Sequence, residues 1–152
     1  MLPSTAERVS SNTADHINER IRLQTEANVA RYHELGPAAV ARRLEELDQE
    51  WDIERYLETM APTFTLLGLF LGATVSKKWL VLPAVVQTFF LQHALQGWCP
   101  PVPVLRRLGI RTLVEINQER YALKALRGDF ENARTALGSN GHAAHRAVMA
   151  AT

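Results

Sequence analysis

Chemistry in this 152-residue chain would have to be built around one cysteine, Cys99, and five histidines. A single thiol excludes an internal disulfide and any zinc site with several cysteines. Cys99 stands in Gly97-Trp98-Cys99-Pro100, with Arg106 and Arg107 downstream. Cations near a thiol favour the thiolate, which can accept persulfide sulfur or form a mixed disulfide. Against that chemistry, no second cysteine and no base stands beside Cys99 in the sequence. A compact side chain also suits a helix exit ahead of Pro100. His93 lies six residues before Cys99, a poor spacing for one helix face, and a neutral imidazole there can hydrogen-bond to nearby amides. His142 and His145 could hold a metal ion only weakly. There is no phosphate loop, dinucleotide fingerprint or nucleophile–base motif. The expectation is a protein that is not an enzyme, has no cofactor or metal, and keeps Cys99 as a structural residue and sole catalytic candidate.

The elements that position these residues are read from where charge is missing. Lys and Arg number 17 against 16 Asp and Glu, a net charge of +1, so nucleic acid is not an expected partner. No charge occurs between Glu58 and Lys77, or between Lys78 and Arg106. Residues 59–76 make 18 uncharged positions, about 27 Å of helix. Residues 79–98 make 20, about 29 Å, against a bilayer core of about 30 Å. With Trp79 and Trp98 as interface anchors, the pattern predicts two transmembrane helices and a lipid bilayer as partner. Residues 1–12 carry no export signal. Arg42, Arg43, Arg55, Arg106, Arg107 and Arg111 outside the hairpin outnumber Lys77 and Lys78 within it. That bias predicts an inner-membrane protein with both termini cytoplasmic.

Gly68 and Gly72 form a small-xxx-small motif, which allows close helix approach. Ala84, Thr88, Gln92 and Gln96 recur every four residues and are expected to pack against protein, first of all those glycines. Before the hairpin, Gly36-Pro37 separates two amphipathic helices. The second carries Val40, Leu44, Leu47 and Trp51 at spacings of 4, 3 and 4. This stripe is expected to pack on the preceding helix, on a second copy, or in a cytoplasmic partner's groove. After Cys99, three prolines predict an extended connection, and Thr112 with Glu115 forms a capping box for a last helix ending near Gly128. The expected organisation is all-α: a flexible 1–12, soluble helices over 13–57, the transmembrane hairpin and its exit over 58–112, a helix over 113–132 and a disordered tail over 133–152.

The apolar hairpin followed by Cys99-Pro100 and then Leu108-Gly109-Ile110-Arg111-Thr112 resembles the YgaP-like transmembrane domain family of small bacterial inner-membrane hairpins. The resemblance covers about residues 57–112, with a longer spacing between the two motifs than the family pattern and no aromatic after Cys-Pro. It implies membrane residence and a two-helix architecture, and no reaction for the hairpin itself. The sequence therefore predicts a non-enzymatic membrane hairpin that presents helices for self-association or partner binding. Two alternatives are a thiol or persulfide relay through Cys99, and a soluble helical bundle with a buried apolar hairpin.

Overall fold

A computed structural model describes residues 4–130, and every regular element among them is a helix. The six α-helices are α1 (Asp15–Glu34), α2 (Pro37–Gln49), α3 (Ile53–Thr74), α4 (Val81–Gln96), α5 (Pro101–Arg107) and α6 (Leu113–Arg127). Short 3-10 helices cover Ser10–Asn12 and Lys77–Leu80. The expected tail over 133–152, with His142 and His145, lies outside the described residues. The described residues form two compact units, 4–21 with 51–114, and 22–50 with 115–130.

In the first unit, α3 starts where the Asp52 carboxylate accepts the Arg55 backbone N–H at 2.8 Å, satisfying one of the orphan donors of a helix start. Its inward row is Leu57, Ala61, Gly68 and Gly72, all buried. The two glycines do hold a close approach. A side chain on Gly68 would run into the Pro83 ring, and one on Gly72 would come to 2.5 Å from Leu80 Cδ2. The expected polar strip is not what meets them. Ala84, Thr88 and Gln96 are exposed and Gln92 is half-buried. The inward face of α4 is instead Pro83, Val86, Phe90 and His93, at spacings of 3, 4 and 3. That stripe follows the 3.6-residue helical period, whereas a strict repeat of four drifts off the face. The Thr88 hydroxyl meets its need locally, donating to Ala84 O at 2.8 Å.

The transmembrane expectation fails on helix length. Trp79 and Leu80 belong to the 3-10 turn, and α4 spans only 16 residues, about 24 Å. Gly97, at φ 78°, ends it by donating its N–H to His93 O. In α3, the first turns are charged by Glu54, Arg55 and Glu58, so only the remainder is apolar. No described helix is long and apolar enough to cross a membrane. That overturns the expectation of an integral inner-membrane protein with two spans and both termini cytoplasmic. Trp79 and Trp98 do not bracket one helix: Trp79 lies in the 3-10 turn, and Trp98 packs edge-on to Phe89 at 6.4 Å.

Two loop expectations are also corrected. Residues 4–12 are fastened rather than loose, with Val9 buried beside Ile53, Leu57 and Cys99. The connection after Cys99 is helical, because Pro101 and Pro103 fall in the first turn of α5, where no N–H is required of them.

In the second unit, Val40, Leu44 and Leu47 pack against Ile116 and Leu123, with Val29 and Tyr32 at the edge. The stripe proposed for a partner is thus used internally at these three positions. Trp51 belongs to the other unit, 39% exposed, with the Arg55 guanidinium 4.5 Å from its ring centre. Glu119 is fully buried and accepts from Arg43 Nε at 2.7 Å and from Asn28 Nδ2 at 3.4 Å. Burial opposes the Arg43 charge, but Glu119 and Glu46 outweigh it and hold the guanidinium more firmly protonated than usual.

Candidate functional site

A row of polar side chains crosses the apolar interior of the first unit. Arg8 Nη2 donates to Glu54 Oε1 at 2.9 Å, and Glu54 Oε2 lies 2.9 Å from His93 Nε2. The thiol of Cys99 is the imidazole's other polar neighbour. His93 is 1% exposed and Cys99 3%. His93 Nδ1 is buried and has no aligned hydrogen-bond partner, so the thiol interacts with the ring without satisfying that nitrogen.

Three local features build the row. Glu54 sits in the first turn of α3, held there by the Asp52 cap. His93 is the last inward residue of α4 before Gly97 reverses the chain, and the reversal carries Cys99 back beside it. This is why a separation of six residues, unsuited to one helix face, still brings thiol and ring together. Arg8 is placed by the N-terminal segment, where its Nη1 donates to Ala94 O at 3.0 Å and Asn12 Nδ2 donates to Gln96 O at 2.7 Å. These carbonyls belong to the last turn of α4 and have no partner within the helix.

Burial works against the imidazolium, but the neighbouring thiol and Glu54 carboxylate outweigh it and raise His93 to about 9. Burial likewise pushes the Glu54 carboxyl up, and His93 and Arg8 outweigh it and bring it below its usual range. The sign for stability follows from linkage. The His93 contribution is complete below its ordinary value of 6.5 and is lost as pH rises through about 9. The Glu54 contribution is complete above 4.5 and is lost as pH falls through its lower folded value. Urea unfolding between pH 5 and 10 should therefore show stability declining on the alkaline side by roughly 1–3 kcal/mol. Glu54→Gln should flatten that limb; an unchanged slope would mean that the pair does not carry it.

Beside the thiol, between α3 and α4, lies a pocket of about 300 Å³. Leu57, Met60 and Phe64 form one wall, Val85 and Phe89 the other, and Cys99 lies on its lining with Pro100 and Pro101. Among the described residues no cluster of His, Cys, Asp and Glu is arranged to hold a metal ion.

Arg106, expected near the thiol, is fully buried and serves packing. It donates to Thr13 Oγ1 at 3.2 Å, Ile110 O at 3.1 Å and Asn18 Oδ1 at 2.9 Å. The Leu-Gly-Ile-x-Thr motif forms the turn between α5 and α6, with Leu108 exposed, Gly109 at φ 86° and Thr112 buried. Sequence reasoning missed Arg8 and Glu54. A signal for Glu54 did exist: it precedes Leu57, Ala61, Gly68 and Gly72 in the same helical register, two residues after a potential capping Asp52. Arg8 had none, since its placement depends on a contact 46 residues away. No family model, curated protein or solved structure matches this chain, so the likeness to the YgaP-like hairpins rests on the two short motifs around Cys99 and Gly109 alone.

Proposed function

We propose that the chain is a helical binding module that associates with a second copy of itself through the outward faces of α3 and α4. The observation behind this reading is the apolar surface those faces present. Leu66 is 66% exposed, Phe70 64%, Val81 63% and Leu91 61%. Large side chains left together in water at this level mark an interaction surface. The outward face carries no charge between Glu58 and Lys77, and the two lysines sit at one end. A two-fold pairing sets identical patches face to face and, with the hairpins antiparallel, keeps the lysine pairs at opposite ends. In this reading the work of the protein is binding rather than catalysis.

Sedimentation of the full chain over a wide concentration range tests the proposal. The wild type should dimerise, and Phe70→Glu with Leu91→Glu should weaken dimerisation by more than about tenfold while the helical circular dichroism is kept. A wild type that stays monomeric throughout, or a variant that dimerises equally well, overturns the reading.

A further inference from the structure

The pocket between α3 and α4 differs from the outward faces in one respect: a thiol lies on its lining. Apart from that thiol, its named walls are leucine, methionine, phenylalanine, valine and proline side chains. A pocket of this size and lining suits a linear apolar group far better than a hydrophilic sulfur donor. The thiol is also not alone. The buried imidazole of His93 stands next to it with Nδ1 unpartnered, and the ring is fixed from behind by Glu54 and Arg8. An imidazole held by a carboxylate and set next to a cysteine is an arrangement that thiol nucleophiles use.

We propose that Cys99 is an acyl-accepting thiol, loaded from a fatty acyl thioester whose chain lies in the α3–α4 pocket. Cys99 Sγ forms the new bond to the acyl carbon, and the donor's carbon–sulfur bond breaks. The electron pair of that bond stays with the donor sulfur, and the proton from Cys99 ends on the departing thiol. One thioester replaces another, so no oxidant or reductant is needed. His93 is a positioning residue, holding the proton beside Sγ, while the pocket selects the chain. The acyl group then fills the pocket with methylenes, each stabilised by about 0.8 kcal/mol on leaving water. This inference is independent of self-association, which uses the outward faces of the same helices.

The test incubates the full chain with decanoyl-coenzyme A or acetyl-coenzyme A and follows intact mass, with Cys99→Ser as the blank. Decanoyl transfer should reach one group per chain, be removed by hydroxylamine, and outpace acetyl transfer by about tenfold or more. Val85→Trp narrows the pocket at a half-exposed position. It should slow decanoyl transfer by about tenfold while the helical circular dichroism is kept. Absence of Cys99-dependent acylation in the folded protein overturns the proposal. So do equal rates for the two donors, or loading that needs denaturant. Persulfide formation from a sulfur donor without acyl transfer would overturn it in favour of the relay chemistry.

Discussion

Gly97→Ala is expected to be among the most damaging single substitutions in the chain. The residue sits at φ 78°, a conformation that costs a side chain about 1–3 kcal/mol. An added methyl would also overlap the backbone carbonyl of Arg8, which cannot rotate aside as a side-chain tip can. Relief requires the N-terminal segment to lift, and Arg8 and Asn12 would then lose the carbonyls of Ala94 and Gln96. The expected loss is roughly 3–5 kcal/mol, a large share of the total stability of an ordinary domain. Gly109→Ala is the control, since φ is 86° there but no atom lies within 4 Å of the added group. It should cost only the conformational part, about 1 kcal/mol or somewhat more. Urea midpoints of the two variants decide the matter, and equal losses would show that the Arg8 contact contributes nothing.

Arg43→Met should destabilise the second unit by about 3 kcal/mol or more at neutral pH. Glu119 is fully buried and would lose the Arg43 Nε that donates to it at 2.7 Å. Removing one member of a buried charged pair leaves the other less well compensated, which is what makes the substitution costly. Adding Glu119→Leu should restore much of the loss, because replacing both members of a buried pair with apolar groups is often neutral. A single variant as stable as the wild type at pH 7 would show that the pair makes no net contribution.

Helix boundaries were legible wherever local chemistry decides them. Gly36-Pro37 ends one helix and opens the next, and Gly128, at φ 87°, follows the last residue of α6. The stretch after Cys99 is not legible from composition, because prolines break a helix in its interior and start one in its first turn, where Pro101 and Pro103 fall. The span lengths are not legible because an uncharged stretch need not be one helix. Ser76 caps a 3-10 turn that takes Trp79 and Leu80 out of the second helix. Cys99 and His93 were both visible in the sequence, but their meeting depends on a left-handed residue at Gly97, which periodicity does not register. The packing of Gly68 and Gly72 was legible and its counterpart was not. The partner is set by which α4 residues follow the helical period, and Pro83 stands on that stripe while Ala84 does not.

The anchoring of residues 4–12 also fixes an order of events during synthesis. The Arg8 guanidinium finds its carbonyl 86 residues later, at Ala94. A ribosome adding about 5–20 residues per second needs roughly 4–17 seconds to make that stretch, and longer before it clears the exit tunnel. Throughout that interval Val9 has no Cys99 to pack against, and Glu54 emerges in α3 without His93. This segment is therefore among the last to dock. Until it does, the apolar interior around the thiol stays open to whatever meets the nascent chain, so this corner of the fold is where a chaperone, or an early acyl donor, would find its longest opportunity.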